Sequence, residues 1–366
     1  MKDLRQTRRP VLAPALAPAG AGKAPTGRHI QELLAQADVA LALGSPFVAA
    51  VLRAASRQIW RAPLTAALMA DWPGDLAAAA MAMRLNAALH GLARRAVLPG
   101  LTRLYQEQHG DFDAVLGEVL ARHDDFIAQW MQRPTQTNEV GRAAAIWAAL
   151  MVAGQGRGLP FELLELGASS GLNLNLAHYA YDLGGLMTGA RASGVHIRPV
   201  WRGAPPQGAP VAIHSARGVD LHPLDAAQCD TRQRLMAYVW ADDAERSARL
   251  DQALSLAVQN PPVVDKGGAS AWLGQHLQTR QPAGVCRVVF HSMVLQYLDR
   301  ADRAGVASQM AAAGAKATAE RPLAWISFEW SEDRGEVELL LTCWPQGQTR
   351  RLAICHPYGH WIDWRG

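Results

Sequence analysis

From residue 29 to about 155, apolar positions recur at three- and four-residue spacing. The runs are QELLAQADVALAL, SPFVAAVLRAASRQIW, DLAAAAMAMRLNAALHGLARRA and DFDAVLGEVLARHDDFIAQWMQ. That period keeps one face of an α-helix apolar, so each run predicts a helix. Ser45-Pro46 reads as an N-cap followed by a first-turn proline, and Asp111 as the cap of a later helix. A last helical run, NEVGRAAAIWAALMVAG, starts after Pro134 and stops in the glycine-rich GQGRG. It predicts Asn138, Glu139 and Arg142 on one side of a helix. No strand pattern interrupts this half, and the expectation is an all-α N-terminal domain over 29–155.

After Pro160 the pattern shortens. β-rich runs appear at FELLEL (161–166), VHIRPVW (195–201), VAIHSARGVDL (211–221), VCRVVF (285–290) and LAWISFE (323–329). Helical stretches such as TRQRLMAYVWADDAERSARLDQALSLAVQ and LDRADRAGVASQMAAAG separate them. Strands alternating with helices predict parallel pairing in an α/β layer. EVELLLTCW and TRRLAICH, joined across Pro345-Gln346-Gly347-Gln348, predict a closing antiparallel hairpin. The second domain is therefore expected over 156–366 as a mostly parallel sheet with an antiparallel finish.

Charge alters this picture less than its total suggests. The 366 residues sum to +4, which invites a nucleic-acid reading. Within residues 1–30, however, Lys2, Arg5, Arg8, Arg9, Lys23 and Arg28 stand against Asp3 alone. The body of the chain is thus near neutral and has no basic stripe, so nucleic acid is not an expected partner. Residues 1–28, rich in Ala, Pro and Arg, read as a disordered leader without the apolar core of a secretory signal. No apolar run is long enough to span a membrane. Cys229, Cys286, Cys343 and Cys355 are too scattered for a zinc knuckle, so no metal site is expected. Reduced thiols packed in or near the core suit a cytoplasmic protein.

The strongest chemical signal is Glu165-Leu166-Gly167-Ala168-Ser169-Ser170-Gly171-Leu172-Asn173, where an apolar strand ends in an acid and a small-residue loop leads into an expected helix. Small residues let a ligand approach the backbone. A P-loop would need Gly-Lys-Ser/Thr where Leu172 and Asn173 stand. The dinucleotide fingerprint would need glycine where Ser169 and Leu172 stand. Gly167-Ala168-Ser169-Ser170-Gly171 does satisfy G-x-S-x-G. A hydrolase reading would make Ser169 the nucleophile, with Asp299 or Glu329 as the acid and His356 or His360 as the base. In such enzymes several strands precede the elbow, whereas here only helices do. The remaining reading is the first-strand loop of a class I S-adenosylmethionine (SAM) methyltransferase, E/D-x-G-x-G-x-G, with Ser169 in place of the middle glycine. Asp220 ends a strand where such folds hold the ribose hydroxyls, and His291-Ser292 ends a later strand at the edge where ligands of open α/β sheets sit.

RPTQTNEVGR (133–142), LLELGASSGLNLN (163–175), YDLGG (181–185), GVDLHPLD (218–225), the VW-x-D-x-x-ER-x-x-RLDQAL run, VVFHSMVLQYL (288–298) and AICHPYGHWIDW (353–364) together resemble the bacterial domain-of-unknown-function family 2332. The resemblance covers the chain from about residue 30 onward. It implies a Rossmann-like class I methyltransferase sheet and SAM as cofactor. By that resemblance Glu165, Gly167, Ala168, Ser169, Ser170, Gly171, Asn173, Asp220, Asn138 and Arg142 hold the cofactor. Glu139, Ser292 and His356 face a small-molecule or peptide acceptor, and His291 is the candidate general base. The family tends to read Gly-Asp-Ala where this chain has Gly267-Gly268-Ala269, and that Asp would contact adenine; Asp265 lies nearby. A non-catalytic protein that binds SAM, S-adenosylhomocysteine or a nucleotide is the alternative from another class.

Overall fold

The computed structural model describes residues 27–207 and 209–366. The leader expected over 1–28 lies outside them up to residue 26, and Arg28 already opens the first helix. The chain divides into two compact units. The first comprises the described residues to Gln136 together with Gln233–Ser247; the second comprises Thr137–Arg232 and Ala248–Gly366.

In the first unit, helices span Arg28–Ala42, Pro46–Gln58, Pro63–Ala70, Met81–Arg94, Pro99–Glu107, Phe112–Arg122 and Asp124–Gln132. Three of them start on a proline, whose fixed φ and missing N–H suit the first turn. The run expected as one helix over 111–132 breaks at His123, where φ is −126°. Asp111 caps as expected, accepting from Ala114 N at 3.0 Å. Ser45 does not cap with its own side chain. Asp242 does so instead, accepting from Phe47 N at 3.1 Å and from the Ser45 hydroxyl. His90 is tied to the same late segment, with Nδ1 at 3.2 and 3.0 Å from the Ala237 and Val239 carbonyls. Burial lowers its pKa to about 4.

In the second unit the strands are β1 (Phe161–Leu166), β2 (Ala180–Leu183), β3 (Leu186–Gly189), β4 (His196–Ile197), β5 (Val200–Arg202), β6 (Ile213–Asp220), β7 (Val264–Lys266), β8 (Cys286–Ser292), β9 (Leu323–Trp330), β10 (Val337–Trp344), β11 (Gln348–Cys355) and β12 (Trp361–Trp364). Nine of them form one sheet in the order β5-β12-β11-β10-β9-β8-β1-β6-β7; β3-β2-β4 form a small second sheet. The five strands β9-β8-β1-β6-β7 are mutually parallel. β1, β8 and β9 are apolar over most of their length because both faces are covered, whereas β6 and β7 carry polar, partly exposed residues. The first of them lies in the middle, so the strand order reverses between β1 and β8. The expected hairpin is present as antiparallel β10 and β11, and β11 pairs antiparallel with β12.

Three expectations need correction. The run 195–201 is two short strands in different sheets, because Pro199 between them cannot donate to a ladder. The long helical run before β7 is two helices, Cys229–Tyr238 and Ala244–Gln259. The contact boundary between the units falls at 136 rather than 155. The physical reason is the helix Ala143–Ala153, apolar on every face and wholly buried, which packs on β9, β10 and β11.

Beneath β1, Leu164 and Leu166 join Val219, Val289, Trp272 and Met310 in one core with the helices Ala269–Gln278 and Arg300–Gly314. Strand alternation turns Glu165 to the other face. Cys286 and Cys355 are buried, whereas Cys229, expected in or near the core, is exposed. Among the described residues, no helix is long and apolar enough to cross a membrane.

Candidate functional site

β1, β6 and β8 end together at the reversal of strand order, the position where open parallel sheets receive ligands. Their register aligns Glu165 with Gly218 and Leu166 with His291. The loop after β1 begins at Gly167 and ends at Gly171, which has φ +71°. At Gly171 a Cβ would lie 2.6 Å from Pro262, so position 171 admits only glycine without a shift of the backbone. Ser169 has φ +54° despite its side chain. It is held there by Asp220, which accepts from Ser169 N at 2.8 Å through one oxygen and from His222 N at 2.8 Å through the other.

The expected helix after the loop is instead a 3-10 turn, Leu172–His178. Asn138 fastens its start, accepting from Leu172 N at 2.9 Å. Asn138 and Glu139 do not share a helical face with Arg142. They precede a short 3-10 segment, Val140–Arg142, and Glu139 caps it by accepting from Gly141 N at 3.0 Å. Glu139 also lies 3.7 Å from the Arg249 guanidinium. Arg142 is buried; its Nε donates to the Pro357 carbonyl at 2.9 Å and its Nη1 to the Ser292 carbonyl at 3.1 Å.

Glu165 is 2% exposed. Burial, with Asp220 nearby, pushes its carboxyl well above the usual carboxylate range, against the opposing pull of Asn173 and Arg142. Around it, Glu165 Oε2, Ser169 Oγ, Ser170 Oγ and Asn173 Oδ1 are buried without a hydrogen-bond partner among the described residues. The four oxygens run from the end of β1 through the loop to the turn after it; the carboxyl and amide oxygens lack donors, and the two hydroxyls lack a partner of either kind.

The chain matches the family model described as an uncharacterized protein conserved in bacteria (DUF2332) over residues 31–364. The chain belongs to the DUF2332 family. No curated protein and no solved structure matches it.

In this DUF2332 chain His291 is fully buried. Its Nδ1 is 2.7 Å from Glu329 Oε1, and its Nε2 accepts from the Trp325 indole N–H at 2.9 Å. Glu329 Oε1 also accepts from Val294 N at 2.8 Å and from Leu295 N at 3.3 Å. Both ring nitrogens are engaged, and the ring holds the backbone after β8 in position. That backbone carries Val294 onto Gly167, whose missing Cβ would stand 2.5 Å from a Val294 methyl. His356 is buried beside Pro357, stacked on His360 at 4.4 Å, and accepts from Tyr358 N at 3.1 Å. Ser169 Oγ has no histidine at hydrogen-bond distance.

Asp265 is fully committed. Arg217 donates to its two oxygens at 2.6 and 2.7 Å and Trp272 at 2.7 Å, which lowers its pKa to about 2. Gly268 has open space around it. Trp325 and Val294 are not identifiable from the sequence as parts of this arrangement. Trp325 meets His291 because parallel pairing aligns His291 with Ser327, two residues along the same face.

Proposed function

We propose that the second unit binds SAM at the reversal of strand order and that the chain transfers a methyl group to a small-molecule or peptide acceptor. The observation that carries this reading is the four buried oxygens around the β1 loop that have no hydrogen-bond partner among the described residues. Each such atom costs about 1–3 kcal/mol if left unpaired, and an amino group with nearby hydroxyls is the kind of ligand that relieves them. The five parallel strands with their reversal of order between β1 and β8, and the antiparallel strands that follow, support reading this sheet as a Rossmann-like class I methyltransferase sheet.

The residues fit the cofactor in part. Glu165 suits its amino group, Ser169 and Ser170 suit polar atoms beside the loop, and Asp220 suits the ribose hydroxyls. Asp265 does not suit adenine, because Arg217 and Trp272 already occupy it. The open backbone at Gly267 and Gly268 is what remains for that ring.

When bound, SAM supplies a methyl group activated by a sulfonium. The chain's own residues contribute position. Asn138 pins the turn after the loop, Asp220 holds Ser169 in its left-handed conformation, and Arg142 ties the end of β8 to the segment at Pro357. An in-line displacement gains most from such orientation. A base is required only when the acceptor must lose a proton. His291, engaged at both nitrogens, acts in this reading as a positioning residue. That same engagement favours a second reading, a non-catalytic protein that binds SAM or S-adenosylhomocysteine.

Isothermal titration of the full chain with SAM and with S-adenosylhomocysteine tests the proposal. Saturable binding is expected, and no binding up to millimolar ligand overturns both readings. Methyl transfer to any acceptor separates the first from the second.

A further inference from the structure

The first unit holds a second group of unsatisfied polar atoms, of opposite character to the one at the β1 loop. Arg234 is 8% exposed. Its Nη2 donates to the Pro134 carbonyl at 3.0 Å, and its guanidinium lies 5.1 Å from the centre of the Trp130 ring and 5.7 Å from that of Tyr238. Arg84, equally buried, donates to the Met131 carbonyl at 2.9 Å and lies over the Trp72 ring. The two guanidinium groups are therefore hung from backbone carbonyls three residues apart.

Among the described residues no Asp or Glu acts on Arg234. Burial lowers its pKa, with the cationic Arg133 and Arg84 acting in the same direction against an opposing pull from Tyr238. Among the described residues Arg234 Nη1 is buried with no acceptor, while Trp130 Nε1, Thr135 Oγ1 and Tyr238 Oη are buried together, the first two directed at the Tyr238 hydroxyl and with no other partner. Trp130 Nε1 and the guanidinium can only donate, and each hydroxyl can donate one hydrogen. Tyr238 stands beside Thr135 and Trp130, with Arg234 and Arg84 in electrostatic reach. Donors outnumber acceptors here, and among the described residues the Arg234 charge is buried without a carboxylate beside it. Either condition alone is costly to a folded chain.

The geometry points to an oxyanion site in the first unit, in which Arg234 Nη1, Trp130 Nε1, Thr135 Oγ1 and Tyr238 Oη bind a phosphate or carboxylate group of a ligand. Arg84 adds charge, and the aromatic faces hold both guanidinium planes. This site is built wholly from the first unit and does not depend on the methyl-transfer reading. Arg133, Pro134 and Thr135 belong to the RPTQTNEVGR motif, whose first half has no role at the β1 loop.

The test is calorimetric titration of the full chain with inorganic phosphate and, separately, with acetate and succinate at constant ionic strength. Tryptophan fluorescence is followed in parallel. Saturable binding of phosphate alone supports the site and assigns it a phosphoryl ligand; saturable binding of a carboxylate alone supports it and assigns a carboxylate. No saturable binding of any of them up to 50 mM (on the order of the weakest single-ion affinities) in the unaltered chain overturns it. Arg234→Met keeps the apolar stem and is expected to weaken binding at least tenfold, whereas Arg234→Lys retains part of it. If Arg234→Met does not fold, Tyr238→Phe removes one donor at nearly constant volume and is expected to weaken binding severalfold. Binding unchanged in both folded variants also overturns the site.

Discussion

Trp325 donates its indole N–H to His291 Nε2 at 2.9 Å, and this contact decides which nitrogen of the histidine carries a proton. With Nε2 accepting, the proton resides on Nδ1 and points at Glu329, 2.7 Å away. A ring locked this way orients other groups.

Replacing His291 with Leu therefore removes a donor from Glu329 and an acceptor from Trp325 in a fully buried place. The expected loss is about 2–4 kcal/mol of stability, read as a lower denaturation midpoint. An unchanged midpoint would mean that the Trp325–His291–Glu329 chain is not structural.

Glu165 gives a pH signature. Its folded pKa is raised and its unfolded value is near 4.5. The folded form thus keeps a proton that the unfolded chain releases, so stability falls as pH rises from about 4.5 toward the folded pKa, at most about 1.4 kcal/mol per pH unit. Glu165→Gln does not titrate. Relative to the unaltered chain it should gain stability steadily across that window, measured as the difference in unfolding free energy against pH. If Glu165 meets the cofactor's amino group, the same variant loses SAM affinity while gaining stability.

Asp220→Ala should weaken SAM by about 1 kcal/mol or more, on the order of one charge-assisted hydrogen bond, in a titration of the folded variant. Equal affinity removes Asp220 from the site and leaves it only the task of holding Ser169 N.

Two glycines near one another in role should respond differently. Gly171→Ala forces a side chain into a left-handed backbone and against Pro262, at an expected cost of about 1–3 kcal/mol. Gly268→Asp enters open space and should stay within about 0.5 kcal/mol of the unaltered chain. If position 268 reaches adenine, that variant also binds SAM more tightly.

A serine-reactive fluorophosphonate should leave the chain unlabelled, because Ser169 Oγ is buried and meets no base. Labelling that disappears in Ser169→Ala would restore the nucleophile-elbow reading.

Much of the second unit was legible because its strands obey local rules. FELLEL and CRVVFHS place apolar residues on both faces, as buried parallel strands do, Asp220 ends its strand as expected, and Glu165 stands one residue before the end of its own. The segment around Asn138 was misread because an apolar run of helical period continues past Arg142, while what precedes it is fixed by Leu172 N and Pro357 O from far along the chain. The role of His291 was hidden for a related reason. A histidine at a strand end looks the same in sequence whether or not a tryptophan on the next strand already binds it.

The division of the chain has a consequence for biosynthesis. Asp242, which caps the helix starting at Pro46, and the carbonyls that meet His90 are translated about a hundred residues after the rest of the first unit. That unit stays incomplete while all of β1 to β6 emerges, so the helix starting at Pro46 must wait uncapped, and His90 unsatisfied, until the segment up to Asp242 leaves the ribosome.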